Sequence, residues 1–340
     1  MRLPAGCWAL AGIALWLGGC LSAADDDDDA ADDDDAAPVF FVDGAPWTQD
    51  VRAAPVDPSS ASLIAALQTR GWGFGRFQMD FSLEVLDADA DTPRQAFTPT
   101  SDFYSPDCDV EPVPVPTEGN VEGEQGYACT GDGDCHLLVR DATTRRLYEM
   151  WRAHIDADGF VGGCLAVWDL DRVYPSAGRG DQCSSADAAG YPIAPLLFTA
   201  DEVAAGLIPH ALRFALPNDR IRDGEFFHPA SHATNAGGGG GDAIPYGARL
   251  RLRADFDLTR VADPDARVVA VALQTYGMFL ADGGNVTLMG RSDRRAGATW
   301  QALFEDDFTW ALVGIEPQDF EVLQLDGPAI PLTFDCVRTP

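Results

Sequence analysis

The sequence contains no lysine, so all 23 of its basic residues are arginines, and they are outnumbered by 54 aspartates and glutamates. The formal net charge is −31, and no basic stripe interrupts the acidic composition. Such a chain is not expected to bind nucleic acid or anionic lipid. The P-loop and the G-x-G-x-x-G, G-x-S-x-G and H-E-x-x-H motifs are missing as well. The sequence therefore indicates none of the reactions that those motifs carry.

The apolar run from Cys7 to Leu17 is too short for a permanent membrane span, and Arg2 precedes it. This arrangement predicts a signal peptide over residues 1–19. Leu17 and two glycines come directly before Cys20, as lipoprotein signal peptidase requires. We expect Cys20 to be the lipidated first residue of the mature chain, with an ordinary secretory signal as the alternative. The protein is then exported and lipid-anchored to a bacterial membrane, at the outer membrane or cell surface, and contacts the membrane only through its lipid.

Residues 23–37 read AADDDDDAADDDDAA, a block that repels itself and has nothing to bury. Together with the lipidated Cys20, residues 20–37 are interpreted as an extended tether between the anchor and the folded part. Residues 38–340 have enough apolar content for a core, and we predict a single β-rich domain there.

Six cysteines follow the signal peptide: Cys108, Cys129, Cys135, Cys164, Cys183 and Cys336. An even number in an exported chain predicts disulfides, and the absence of C-x-x-C disfavours a thiolate zinc site. Cys129–Cys135 and Cys164–Cys183 are the local pairs, and Cys108–Cys336 is the remainder. Sequence alone leaves the other connectivities open.

Alternating apolar residues predict that strands dominate the domain. Residues 77–85 alternate over a half-buried strand, and residues 136–170 read as a β-meander with turns at 141–144 and 156–159. Helices are few and short, so we predict an all-β-dominated fold, a β-sandwich or jelly roll, with peripheral helices.

Three short helices are predicted. One spans residues 61–69, and a second begins after Thr199 with Glu202 in the capping-box position. The third begins near Pro264 and gives way to a strand at about Tyr276.

The stretch CTGDGDCHLLVRD, residues 129–141, carries the first candidate site residues. In a strand entered near residue 134, Asp134 and His136 lie on one face and Cys135 on the other. A carboxylate beside an imidazole suits a general base or a divalent ion such as Ca²⁺. The alternative is an Asp-Gly turn with His136 packed under the sheet. The acidic run at residues 87–91 resembles a calcium loop but lacks its glycine and late glutamate, which favours a solvated loop.

Further candidates lie in later segments of the chain. His210 begins a predicted strand, and His232 follows it in a loop before a glycine run. Tyr276 and Asp282 lie in QTYGMFLADGGN. A tyrosine or histidine beside an amide or cation is typical of polysaccharide lyases. Asp282 with Asp134 or Glu149 would instead make the carboxylate pair of a glycosidase.

Several segments, in the same order, resemble a family of secreted bacterial proteins. Its DGDRH, SADAAGLPILP, DEVAAG-HALRF, PARH and YGM-ADNG segments correspond here to DGDCH, SADAAGYPIAP, DEVAAGLIPHALRF, PASH and YGMFLADGG. The resemblance spans residues 45–322 and implies no particular reaction. Cys135 and Ser231 replace arginines of the family, and Gln274 replaces a common lysine, which puts any function of those cations in doubt.

Two functions fit this sequence. The first is a cell-surface carbohydrate-active enzyme, a polysaccharide lyase or a glycoside hydrolase, with a polysaccharide as partner and Asp134, His136, His210, His232, Tyr276 and Asp282 as catalytic candidates. The second is a non-catalytic surface lipoprotein that binds a glycan or a protein. Convergence of the candidate residues in one cleft would favour the enzyme, and scatter would favour the binding protein.

Overall fold

A computed structural model describes residues 40–41, 44–131, 133–235, 238–304 and 308–339 of the protein. The α-helices in these ranges are α1 (Ser60–Arg70), α2 (Ala200–Ala204), α3 (Pro264–Thr275) and α4 (Trp300–Leu303). The strands are β1 (Met79–Leu83), β2 (Val85–Ala88), β3 (Arg94–Gln95), β4 (Thr98–Pro99), β5 (Val113–Pro114), β6 (Leu137–Asp141), β7 (Arg146–Met150), β8 (His154–Asp156), β9 (Gly159–Gly162), β10 (Leu165–Asp169), β11 (Leu212–Leu216), β12 (Ile221–His228), β13 (Ile244–Tyr246), β14 (Arg249–Leu252), β15 (Met278–Gly283), β16 (Leu288–Arg291), β17 (Phe320–Val322) and β18 (Asp326–Pro331).

Two larger sheets organise the described strands. A six-stranded sheet has the order β1-β16-β11-β15-β14-β17, and a four-stranded sheet has the order β10-β7-β6-β2. Three smaller sheets follow the orders β13-β12-β18, β4-β9-β8 and β3-β5. The larger sheets contain parallel and antiparallel pairs, since β11 runs parallel to β15 and β6 antiparallel to β7. The predicted strand-dominated fold with few short helices is confirmed.

The four-stranded sheet is buried on both faces. Leu137 and Val139 of β6 belong to a smaller core, whereas Leu138 belongs to the larger core shared with the six-stranded sheet. Successive side chains of a strand point to opposite faces. His136 lies two residues before Leu138, so its side chain points to the same face of the sheet. Glu149 of β7 lies opposite Leu138 in the pairing register. The sheet therefore places both polar side chains toward the larger core.

The predicted helix signals hold in the structure. Thr199 caps α2 through a capping box with Glu202, as the sequence predicts. Asp263 caps α3 by accepting hydrogen bonds from two backbone amides. α3 ends at Thr275, and Gly277 adopts a φ of +68° before β15 begins. The predicted change from helix to strand at about Tyr276 is confirmed.

Three disulfides link the described chain, but only one of the proposed pairs is correct. Cys129–Cys135 is present, and the other two bonds are Cys108–Cys164 and Cys183–Cys336. The Cys164–Cys183 and Cys108–Cys336 pairs suggested by the sequence are therefore wrong. The amide of Asp109 donates to Leu165 O at 2.8 Å, and this contact brings Cys108 beside Cys164. Nearness along the chain predicted the Cys129–Cys135 bond correctly but failed for Cys164 and Cys183.

The predicted signal peptide, the lipid-bearing Cys20 and the acidic tether lie outside the described residues. Among the residues that are described, no helix combines the length and apolar character needed to cross a membrane. The described residues belong to one compact unit.

Candidate functional site

Five charged side chains form a cluster between the two larger sheets, and we call it the polar cluster. It consists of Glu122, His136, Asp187, Arg213 and Asp282. Their charges act on one another, and three of them are almost fully buried: His136 is 3% exposed, Asp187 1% and Arg213 2%. Charged groups at such depth require partners, because burial alone destabilises an ion.

His136 carries two N–H donors in this cluster. Its Nδ1 lies 2.6 Å from Glu122 Oε2, and its Nε2 lies 2.9 Å from the carbonyl oxygen of Ala186. Both partners are acceptors, so both ring nitrogens must be protonated. Burial opposes the positive charge, but the Glu122 carboxylate outweighs it and raises the pKa of His136 to about 9. The ring is an imidazolium at neutral pH.

Arg213 joins two carboxyl groups. Its Nη2 donates to Asp187 Oδ1 at 2.5 Å and lies 3.8 Å from Asp282 Oδ2. Arg213 comes from β11 and Asp282 from the parallel β15, where the pairing register shifts between Phe214 and Ala215. This bulge sets Asp282 opposite Ala215 and within reach of the guanidinium.

Asp187 lies in a turn that contacts β15, because the amide of Ala189 donates to Ala281 O at 2.9 Å. The amide of Asp187 donates to Ser185 Oγ at 3.0 Å, and the amide of Gly190 donates to its carbonyl at 3.0 Å. The second carboxyl oxygen, Asp187 Oδ2, is buried and has no hydrogen-bond partner among the described residues. Burial raises the pKa of Asp187, although Arg213 opposes this shift.

The cluster reaches solvent through Glu122 and Asp282, whose side chains are 22% and 25% exposed. Asp134 is exposed beside them, and its charge helps to raise the pKa of both His136 and Asp282. Trp151 is half-buried and donates from Nε1 to Asp134 Oδ1 at 2.9 Å. We call Glu122 and Asp282, together with the neighbouring Asp134 and Trp151, the surface end of the polar cluster.

Glu149 lies under the cluster at 0% exposure. Its carboxyl accepts from the amides of Ile193 and Ala194 and from Trp168 Nε1, at distances of 2.8–3.0 Å. Burial raises its pKa to about 7 despite these donors. Glu149 of β7 thereby links Trp168 of β10 to the backbone of Ile193 and Ala194. We therefore assign Glu149 a role in positioning the cluster.

The surface end has the chemistry of a proton-transfer site. Burial raises the pKa of Asp282 to about 6, while Arg213 opposes that shift. A carboxyl group with such a pKa exchanges its proton near neutral pH, as a general acid must. Carboxyl groups with separated pKa values are characteristic of acid–base sites, and buried structural ion pairs can also produce them.

Of the six predicted catalytic residues, three belong to this region: Asp134, His136 and Asp282. His210 bonds instead to Glu202 Oε1 at 3.2 Å and to the carbonyl of Ala211 at 2.8 Å.

His232 bonds to Ala188 O at 2.9 Å, with its ring near Phe334, and Tyr276 is the C-cap residue of α3. His210 and His232 therefore hydrogen-bond to partners outside the polar cluster, and among the described residues no hydrogen bond joins the Tyr276 side chain to it.

The calcium and zinc alternatives find little support in the side chains present. Glu124 lies close to Cys129 and Cys135, but the two sulfurs form a disulfide and offer no thiolate ligand. In the acidic run, Asp87 pairs with Arg140 at 2.7 Å, and Asp89 accepts from the amide of Asp91 at 3.0 Å. Asp132, the first aspartate of the stretch at residues 129–141, lies outside the described residues.

Three members of the cluster were not among the candidates identified from the sequence: Glu122, Asp187 and Arg213. Asp187 lies in SADAAGYPIAP, one of the segments that carry the family resemblance, whereas Glu122 lies in a loop with no recognisable motif. Those segments provide a usable signal, because His136, Asp187, Arg213 and Asp282 each come from a different one of them.

Comparison of the chain with protein-family models, with curated proteins and with solved structures finds no match in any of the three.

Proposed function

We propose that the protein is an exported, surface-anchored, carbohydrate-active enzyme whose site is the surface end of the polar cluster. The observation that carries this proposal is the sharing of Arg213 by a buried carboxyl, Asp187, and a partly exposed one, Asp282. The shared cation and the nearby imidazolium of His136 fix the charge around Asp282 before any ligand arrives. Such preorganised charge is the usual basis of acid–base catalysis.

The geometry supports glycoside hydrolysis over polysaccharide lysis. Hydrolysis uses two carboxyl groups, one to protonate the leaving oxygen and one to activate water or attack the sugar. Asp282 suits the first role because of its pKa of about 6, and Asp134 supplies the second carboxylate. Lysis would need a tyrosine or histidine free to take a proton. Tyr276, His210 and His232 lie outside the cluster, and His136 already donates from both nitrogens.

Trp151 supports a sugar as the substrate. Its half-buried indole donates to Asp134 at the surface end. Aromatic rings of this kind combine an apolar face with a polar edge, as sugar binding requires. The guanidinium of Arg152 lies 4.8 Å from the Trp151 ring and would share that surface with the ligand.

A non-catalytic role in glycan or protein binding is the second candidate. The observation in its favour is that His136 and Arg213 are buried and already paired, which is also how structural ion pairs are built. In that case the polar cluster stabilises the fold, and the surface end only recognises a ligand.

Export is supported by the three disulfides, because such bonds persist in oxidising compartments. Lipid anchoring at Cys20 remains part of the proposal and rests on the sequence around that residue.

A panel of polysaccharides incubated with the purified protein tests the enzyme against the binding protein. New reducing ends without ultraviolet absorbance from unsaturated uronates would support hydrolysis. Reducing ends accompanied by that absorbance would indicate lysis and contradict the roles given to Asp282 and Asp134. Retention of a polysaccharide without any product would favour the non-catalytic candidate.

A further inference from the structure

Four arginines line a separate cavity of about 280 Å³: Arg146, Arg172, Arg179 and Arg338. No member of the polar cluster lines it. Four guanidinium groups around one cavity are unexpected in a chain with a formal net charge of −31. The cavity therefore calls for an explanation beyond the general charge of the surface.

The acidic side chains of the cavity neutralise most of this charge. Asp109 forms ion pairs with Arg179 at 2.6 Å and with Arg338 at 3.0 Å, and Glu111 forms an ion pair with Arg146 at 3.0 Å.

Asp169 is the third carboxylate of the lining. Four guanidinium groups against three carboxylates leave an excess of one positive charge in the cavity.

Arg172 forms no ion pair with any described residue, and its guanidinium lies 4.8 Å from the ring centre of Tyr174. Stacking on an aromatic ring holds the plane of a guanidinium while leaving its N–H groups free to donate.

Arg179, which also lines the cavity, has a hydrogen-bond donor without an acceptor in the described part of the chain. The residue is 2% exposed, and its Nε has no hydrogen-bond partner among the described residues. Burial lowers the pKa of Arg179 to about 10, and the side chain remains a cation at neutral pH. A buried donor without an acceptor is costly, and a ligand oxygen would satisfy it.

We propose that this cavity binds a small monovalent carboxylate that also carries hydroxyl groups, such as a single hexuronic acid. One negative charge matches the excess of one positive charge, whereas a dianion would be repelled by the three carboxylates. Guanidinium groups recognise carboxylates through paired N–H donors. Tyr174 and Thr339, two residues that carry hydroxyl groups, also line the cavity and suit a hydroxylated ligand. The volume lies just below the usual range for drug-sized ligands, which restricts the occupant to about one sugar ring.

Calorimetric titration of the purified protein tests the proposal without any measurement of turnover, so its outcome is separate from that of the proposed enzyme. Galacturonate is the probe, galactose is its neutral match, and inorganic phosphate is the competing anion. Arg172→Gln removes the free cation. Arg76→Gln is the matched control, because Arg76 also stacks on an aromatic ring, Trp310, at 4.2 Å.

We expect galacturonate to bind saturably and at least about tenfold more tightly than galactose or phosphate. Arg172→Gln should weaken this binding by about tenfold, and Arg76→Gln should not change it. Absence of saturable galacturonate binding, equal binding of galactose, tighter binding of phosphate, or unchanged binding in Arg172→Gln would each overturn the proposal.

Discussion

At the scale of single residues, His136 shows how neighbours decide the state of a side chain. Its two nitrogens face a carboxylate and a carbonyl, and neither acceptor can donate a proton in return. The same residue type has other states elsewhere in the chain. Burial lowers the pKa of His232, although the Ala188 carbonyl and the charge of Asp107 oppose this shift. Residue type and spacing could indicate His136 as a candidate, but they could not supply Glu122 or the protonation state.

We predict that His136 titrates with a pKa of about 9, far above the ordinary value of 6.5. Glu122→Gln should bring this pKa down sharply, because burial then opposes the charge without a carboxylate to offset it. The measurement is an NMR titration of the imidazole resonances. Glu202→Gln is the control, since Glu202 pairs with His210 and should affect that ring alone. A wild-type His136 that titrates at or below its ordinary pKa would refute the assigned imidazolium.

At the scale of elements, local signals in the sequence predicted local structure well. The capping box of α2 and the break between α3 and β15 each depend on a few adjacent residues. The disulfide pattern depends instead on which distant strands pair. Cys183 and Cys336 are 153 residues apart, and backbone hydrogen bonds such as Thr339 N to Arg179 O bring the two segments together. No spacing rule in the sequence contains that information.

The polar cluster was predictable to a similar extent. Asp134 and His136 are near neighbours in one segment, so their proximity could be expected. Asp282 lies near them because β15 lies beside β11, and Arg213 of β11 contacts the carboxyl groups of both Asp187 and Asp282. The sequence identified polar segments but not which of them meet.

The long disulfide should stabilise the fold more than the short one. Chain-entropy arguments give about 5 kcal/mol for a loop of the Cys183–Cys336 size and about 2 kcal/mol for one of the Cys129–Cys135 size. We predict that replacing both members of the long pair by alanine lowers the free energy of unfolding by more than the same change in the short pair. Chemical denaturation of the two double variants measures the difference. Equal losses, or a larger loss from the short pair, would contradict this ordering.

At the scale of the whole molecule, the polar cluster gives the fold a characteristic pH dependence. Folding raises the pKa of Asp282 from 3.8 to about 6, of Asp187 from 3.8 to about 8 and of His136 from 6.5 to about 9. It also raises the pKa of Glu149, beneath the cluster, from 4.5 to about 7. Between each ordinary pKa and its raised value, the folded protein binds more protons than the unfolded chain. The free energy of unfolding therefore falls as pH rises through these windows. Glu122 has the opposite sign, because folding lowers its pKa from 4.5 to about 2.

We predict a higher melting temperature at about pH 5 than at about pH 9. Asp282→Asn should reduce the fall in the free energy of unfolding between about pH 4 and pH 6, because it removes the carboxyl group that titrates in this range. Calorimetric scans across this range provide the measurement. Stability that rises steadily from pH 5 to pH 9 would show that the cluster carboxyls are not protonated on folding.

The attachment of the protein to its membrane is a further property of the whole molecule. We predict that Cys20→Ala abolishes lipid modification and releases the protein in soluble form, because that cysteine is the predicted acylation site. Fractionation of the producing cells and mass analysis of the mature N-terminus provide the test. A mature chain that begins elsewhere and carries no acyl mass would rule out the anchor.

The central claim is that Asp282 performs proton transfer at the surface end of the polar cluster. The direct measurement compares the turnover and melting temperature of Asp282→Asn with those of Glu321→Gln on the polysaccharide that the wild-type protein cleaves. Glu321 is a matched control, since it is a partly buried carboxylate that pairs with a buried arginine of the same sheet, Arg251, at 2.6 Å. We predict that Asp282→Asn loses about 100-fold or more of the turnover while still melting as a folded protein, and that Glu321→Gln keeps its turnover. Equal turnover in the two variants, or no cleavage of any polysaccharide by the wild-type protein, would contradict the account.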